Sequence, residues 1–111
     1  MKTDLERIEE ALNSNCGPAQ QSLAERGVQI TAMLLKKNND YGASGFDRPY
    51  LLPELTVKSA LLCRMSDKIA RLRNLLSGAV AQVEDESVQD TMVDLAGYLI
   101  LYLSTNDGGE S

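Results

Sequence analysis

Acidic residues at helical spacing are the first candidates for chemistry in this 111-residue chain. Glu86, Asp90 and Asp94 follow one another at intervals of four positions, just ahead of a nearly continuous apolar run. Residues four apart lie on the same side of a helix, with their Cβ atoms about 5–6 Å apart. Carboxylates placed in this way can share one hard cation, Mg²⁺ or Mn²⁺, through oxygen ligands. The row is therefore either one wall of a metal site or the acidic half of a set of ion pairs.

A second charged row, mostly basic, lies in the preceding apolar segment and comprises Arg64, Asp67, Lys68 and Arg71. If the two segments form an antiparallel helical hairpin, the numbers of facing residues have a roughly constant sum. Lys68 then faces Asp94, and Arg71 faces Asp90. Ion pairs of this kind would set the register of the two helices, and each exposed pair would contribute only about 0.2–1 kcal/mol.

Two acids do not fit a purely structural set of ion pairs. Glu86 would face Leu75 and Leu76 instead of a cation, and Asp67 is an acid within the basic row. Asp67, Glu86, Asp90 and Asp94 are therefore candidate metal ligands. The cations beside them, Arg64, Lys68 and Arg71, are candidate partners for phosphate oxygens, which bind strongly to charged donors. Spacing alone leaves both interpretations open, since most charged rows are solvated helix faces.

The elements that must position these residues are predicted to be four helices in one all-α domain, covering residues 1–111. We expect helices at about 4–13, 18–38, 54–77 and 85–104, a loop at 39–53 and a disordered tail at 105–111. Thr3 and Glu6 have capping-box spacing, and Pro18 suits a first helical turn. Either Pro53 or Thr56 starts the third helix, and Gly78 suits its C-terminus. Short connections favour a four-helix-bundle-like fold, and wide apolar stripes predict that oligomerisation completes it. The residues expected to point inward are Val57, Leu61, Met65, Ile69, Leu72 and Leu76 in the third helix, and Val88, Met92, Leu95, Ala96, Leu99 and Leu103 in the fourth.

The loop at 39–53 is unusually long for a small helical domain. Long connections are often functional, and the alternative is a surface loop that Phe46 and Tyr50 anchor to the core. The sequence does not decide between these two roles.

Composition excludes several classes of function. The net charge of −5 disfavours a broad nucleic-acid interface, although a small anion can still be bound by a local basic cluster. The chain has no histidine, which removes histidine acid–base chemistry and the commonest zinc ligand. Its two cysteines have no metal-binding spacing, and it shows neither a signal peptide nor an apolar run long enough for a membrane span. We expect a reduced, cytoplasmic protein with no nucleic-acid or membrane partner.

Three segments together resemble a known family. They are KNNDYG at 37–42, RMSDKIAR at 64–71 and DESVQDTMVDLAGY at 85–98, the last being the most specific. Their order is similar to that of the nucleotide modification associated domain family of phages and bacteria. That family looks like a branch of the MazG-like all-α nucleoside triphosphate pyrophosphohydrolases. The resemblance covers roughly residues 20–103.

The resemblance implies a MazG-like helical bundle that forms a homodimer or homotetramer. It also implies Mg²⁺-dependent (or Mn²⁺-dependent) cleavage of a nucleotide between the α and β phosphates, in a phage or mobile-element setting. Glu86 and Asp90 would then be catalytic, and Asp67 and Asp94 would join them in binding the metal. The substrate-binding residues would be Lys37, Asp40, Tyr41, Arg64, Lys68 and Arg71, with Tyr41 or Phe46 stacking on a base.

The chain departs from the usual MazG-like pattern in its acids. Typical members have an E-x-x-E pair on one helix and an E-x-x-D pair on the next, whereas the second helix here has only Glu25. The missing pair favours nucleotide binding over hydrolysis. Two alternatives to the enzyme therefore remain, a non-catalytic nucleotide-binding or sequestering protein and an oligomeric helical interaction module.

Overall fold

The fold was described from a computed structural model, which covers residues 1–40, 47–78 and 85–105, without the side chains of residues 39–40 and 85–87. The described residues form four helices and no strand, which confirms the all-α prediction. They are α1 (Asp4–Leu12), α2 (Pro18–Asp40), α3 (Val57–Leu76) and α4 (Asp85–Ser104). The chain divides into two compact units, residues 1–37 and residues 38–111.

The first unit begins with the capping box predicted from its sequence. The Thr3 hydroxyl accepts a hydrogen bond from the Glu6 backbone N–H at 3.1 Å, and the Thr3 N–H donates to the Glu6 carboxylate at 2.9 Å. These two bonds satisfy donors that the first turn of a helix otherwise leaves unpaired. After Leu12 the chain forms a turn that contains Ser14 and Gly17, both with positive φ, and α2 begins at Pro18 as predicted.

In the second unit, α3 begins at Val57, which agrees with the predicted start at Thr56 and not with the alternative start at Pro53. The Leu55 N–H donates to the Leu52 carbonyl oxygen at 3.0 Å, so the residues after Pro53 form a turn instead of a first helical turn. Thr56 is the N-cap, because its hydroxyl accepts from the Ser59 N–H at 3.0 Å. The far end of α3 agrees with prediction, since Gly78 follows it with a φ of 77°. Only glycine adopts this left-handed conformation without steric cost.

The α3–α4 hairpin holds the core of the second unit. Val57, Leu61 and Met65 of α3 are buried, and Leu61 is only 1% exposed. From α4, four residues pack against them: Leu95, Tyr98, Leu101 and Tyr102. The Lys58 ammonium also lies 5.2 Å from the centre of the Tyr102 ring.

The predicted inward faces of both hairpin helices were partly wrong. Ile69 is 56% exposed and Leu103 is 82% exposed, and other residues of the two predicted stripes are also exposed. In α4 the line that faces α3 runs through Thr91, Leu95 and Tyr98, so the tyrosine rings pack where leucines had been expected. The periodicity misled because α4 is apolar almost all the way round from Leu95 onward. The exposed members of the two predicted stripes are Ile69, Leu76, Met92, Leu99 and Leu103.

Two predicted features fall partly outside the description. Of the predicted loop at 39–53, residues 39 and 40 are helical, residues 41–46 lie outside the described residues, and the rest is non-helical. Of the predicted tail, only Thr105 is described, and it is buried. Among the described helices, none is long and apolar enough to cross a membrane.

Candidate functional site

Lys68 and Asp94 form the ion pair predicted from the register of the hairpin. The Lys68 Nζ atom lies 3.1 Å from the Asp94 Oδ2 atom, and both side chains are partly exposed. The contact shows that α3 and α4 are antiparallel neighbours at the expected height. It also partly neutralises Asp94, one of the candidate metal ligands.

Arg71 contacts Thr91 instead of its predicted partner, Asp90. The Arg71 Nε–H donates to the Thr91 hydroxyl oxygen at 3.3 Å. Thr91 is 3% exposed and lies in line with Leu95 on the side of α4 that faces α3. Asp90 is one position earlier, hence about 100° further round the helix, and its side chain is exposed. The predicted register was therefore right to within one residue, but the predicted partner of Arg71 was the charged Asp90 and not the buried hydroxyl of Thr91.

The contact with Thr91 fixes the direction of the Arg71 guanidinium. It uses only the Nε donor, and the terminal nitrogens make no hydrogen bond to any residue in the described ranges. A guanidinium carries five N–H donors in a planar fork that matches carboxylate or phosphate oxygens. Arg71 is therefore both oriented and able to bind an anion through its remaining donors.

Arg64, Asp67 and Asp90 lie beside the residues just described. Together with Lys68, Arg71 and Asp94 they form what we call the charged face of the hairpin. Arg64 and Asp67 lie on the flank of α3 that also carries Arg71, since seven residues make almost two helical turns and Asp67 is between them. Asp90 lies on the flank of α4 that also carries Asp94. All three side chains are exposed, and within the described part of the chain none forms a side-chain hydrogen bond or ion pair.

The predicted metal site is not formed by the described residues alone. Across residues 1–40, 47–78 and 85–105, no group of three or more cysteine, aspartate or glutamate side chains is close enough to hold a metal ion. Whether a metal site forms depends most on Glu86, because Glu86 is an acid with no predicted cation partner. Its backbone is the second residue of α4, but its side chain lies outside the description.

The remaining predicted substrate-binding residues belong to the first compact unit or have side chains that are not described. Lys37 is exposed on α2 and belongs to the first compact unit. Asp40 is the last residue of α2, and its side chain is not described. Tyr41 and Phe46 lie outside the described residues.

Thr91 is the residue of this site that sequence reasoning missed. It was overlooked because only charged residues were matched across the hairpin. The signal that could have found it is its position, four residues before the apolar Leu95 and seven before Tyr98, which places it on the core side of α4.

Comparison with protein-family models, with curated proteins and with solved structures finds no match.

Proposed function

We propose that the charged face of the α3–α4 hairpin binds the phosphates of a nucleoside triphosphate, and that the protein is a Mg²⁺-dependent nucleotide pyrophosphohydrolase. The observation that carries the proposal is the orientation of Arg71, whose Nε is held by buried Thr91 while its other donors are unused by the described residues. Arg64 lies two turns away on the same flank of α3, so a chain of phosphates can bridge the two guanidinium groups.

The mixture of charges on this face suits a phosphate that arrives with a divalent cation. Arg64, Lys68 and Arg71 supply positive charge, while Asp67, Asp90 and Asp94 supply oxygen ligands of the kind that Mg²⁺ or Mn²⁺ prefers. When bound, the cation would supply charge neutralisation on the phosphates. The described acids do not form a complete cation site by themselves, so hydrolysis depends on whether Glu86 joins Asp90.

Substitutions at Arg71 and Arg73 test nucleotide binding. Arg71→Gln should weaken binding of a non-hydrolysable nucleoside triphosphate on the order of tenfold or more, because a charged hydrogen bond to phosphate is lost. Arg73→Gln is the matched control, since it removes the same charge from the same helix about 200° away from Arg71. Titration calorimetry in the presence of Mg²⁺ measures both. Equal affinities for the two variants would contradict the proposed phosphate contact.

Thr91→Val tests whether Arg71 must be held in place. Valine has nearly the shape of threonine but lacks the hydroxyl acceptor, so the Arg71 side chain would lose its orientation. We expect Thr91→Val to bind nucleotide more weakly than the wild-type protein. Adding Thr91→Val to Arg71→Gln should cause little loss of affinity beyond that of Arg71→Gln alone. Additive losses would show that the two residues act independently.

Turnover separates the enzyme from a non-catalytic nucleotide-binding protein. The assay incubates the protein with each common ribo- and deoxyribonucleoside triphosphate and Mg²⁺, then measures pyrophosphate and monophosphate. Turnover that Asp90→Ala abolishes supports the enzyme. A thermal shift with nucleotide but without turnover contradicts hydrolysis and supports the binding protein, which the missing second acid pair on α2 favours.

A further inference from the structure

The ion pair between Lys68 and Asp94 lies on the face of the hairpin on which we propose that phosphate binds. Among the described residues, Asp94 is the only partner of the Lys68 ammonium, whose Nζ atom lies 3.1 Å from Asp94 Oδ2. Both side chains are partly exposed, so the contact is open to solvent. One cation of the proposed site is therefore already occupied before any ligand arrives.

The Asp94 carboxylate binds Lys68 in the way that a phosphate oxygen would. Carboxylate and phosphate oxygens both accept short, charge-assisted hydrogen bonds from an ammonium group. A carboxylate on the neighbouring helix of the same hairpin competes at a high effective concentration, because it cannot diffuse away. Asp94 is thus an internal competitor for any anion that binds Lys68.

Arg71 is a cation of this face that meets no such competition from the described residues. Its Nε–H donates to buried Thr91 at 3.3 Å, and its terminal nitrogens make no hydrogen bond within the described ranges. Lys68 precedes Arg71 by three positions, and side chains at that spacing are neighbours on a helix surface, with Cβ atoms about 5–6 Å apart. An anion with several charged groups can therefore bind Arg71 and reach the Lys68 ammonium from there.

A phosphate and Asp94 cannot share the Lys68 ammonium without a cost. Two anionic oxygens bound to one nitrogen lie close together, and their repulsion is stronger in a partly desolvated contact than in bulk water. The ion pair itself is easily broken, since exposed pairs contribute little free energy. A polyphosphate, which carries more negative charge than one carboxylate, should therefore replace Asp94 on Lys68.

We infer that Lys68 and Asp94 form an autoinhibitory contact, which we call the ionic latch. The latch is closed in the free protein, and a polyphosphate opens it by taking the place of the Asp94 carboxylate on the Lys68 ammonium. The inference rests on the proposed function, because both concern the same phosphate-binding face. The latch lowers the apparent affinity for the anion, since only the fraction of molecules with an open latch offers a free ammonium.

Asp94→Asn tests the latch, because it should strengthen anion binding. The probe is inorganic triphosphate, titrated by calorimetry into the full chain at low ionic strength and without divalent cations. Asp90→Asn is the matched control, since it removes the same charge from the same flank of α4 without breaking a described ion pair. We expect Asp94→Asn to bind triphosphate about two- to sixfold more tightly than Asp90→Asn does, which is the range for release of an exposed ion pair.

The same two substitutions in a Lys68→Met background show whether the gain acts through Lys68. This background has no latch, so Asp94→Asn and Asp90→Asn should raise the affinity for triphosphate to the same extent. Equal gains in the wild-type background as well would overturn the latch but leave the phosphate site in place. Failure of triphosphate to bind both the wild-type chain and Asp94→Asn would contradict the proposed function itself, and the latch with it.

Carbon NMR of the wild-type chain observes the opening directly and needs no substitution in the binding measurement. Saturating triphosphate should move the Asp94 carboxyl ¹³C resonance towards its position in Lys68→Met, where that carboxylate has lost its partner. Asp4 is the control, because its carboxylate pairs with Arg7 in the first unit and its resonance should not move. An Asp94 resonance that stays in place while triphosphate binds would overturn the latch.

Discussion

At the scale of single residues, the ion pair between Lys68 and Asp94 has a small energetic role and a larger one in register. Its atoms are 3.1 Å apart, but 28% and 39% of the two side chains remain exposed. Exposed pairs contribute about 0.2–1 kcal/mol, because water screens the charges and ordering the side chains costs entropy. The pair is thus better suited to selecting one alignment of the helices than to stabilising it.

A double-mutant cycle measures this contribution. We expect Lys68→Met, Asp94→Asn and the double variant to give a coupling free energy of less than about 1 kcal/mol in urea unfolding. If Asp94 has only this structural role, Asp94→Asn should leave nucleotide affinity unchanged. A loss of affinity with little loss of stability would instead place Asp94 in the binding site. A coupling of several kcal/mol would show that the pair is more deeply desolvated than its exposure indicates.

Leu61 is the residue on which the packing of the second unit most depends. It is 1% exposed and lies between Val57 and Met65, against the side chains of α4. Leu61→Ala should reduce the free energy of unfolding by about 2–5 kcal/mol, since it removes buried methyl groups and leaves a cavity. Leu51→Ala is a suitable control, because Leu51 is 94% exposed and should change stability by less than about 0.5 kcal/mol. Chemical denaturation of both variants, at a fixed protein concentration, makes the comparison.

At the scale of elements, the capping box of α1 links helix stability to pH. Hydrogen bonds from the Thr3 backbone N–H and then from its side chain lower the pKa of Glu6 below its usual 4.5. A carboxyl group whose pKa is lowered by folding stabilises the folded state above its unfolded-state pKa. That contribution is lost as the pH falls through the lowered pKa of the folded state.

Glu6→Gln tests this linkage. The amide can still accept the bond from the Thr3 N–H, but it carries no charge and does not titrate. The wild-type protein should therefore melt at a higher temperature than the variant at pH 7, and the difference should shrink once the pH falls below 4.5. A difference in melting temperature that is the same at pH 7 and pH 3 would contradict the linkage.

Helix ends were predicted well, because their signals are local. Thr3 with Glu6, Pro18 and Gly78 each act on the backbone within one turn, and each has the predicted role in the structure. Of the two predicted starts of α3, Thr56 is the one that caps the helix, because a proline that suits a first helical turn, as Pro53 does, also suits the turn before a helix. The orientation of α4 about its own axis was not predictable, since apolar residues surround it from Leu95 onward.

At the scale of the whole molecule, the distribution of charge matters more than its total. The net charge is −5, yet α3 is basic and α4 is acidic. The composition therefore predicted only that a broad nucleic-acid interface is unfavourable, whereas one face of the hairpin carries both cationic and anionic side chains. The candidate site was predictable as far as Lys68, Asp94 and the neighbouring cations. The role of Thr91 required the structure, because an uncharged residue gains its importance from burial and not from its own chemistry.

The contact between Arg71 and Thr91 also bears on how the chain reaches its fold. The two residues are only 20 positions apart in the sequence, so the loop that must close is short and its entropic cost is low. Chains dominated by such local contacts fold quickly, so we expect closure of the hairpin to be an early step of folding.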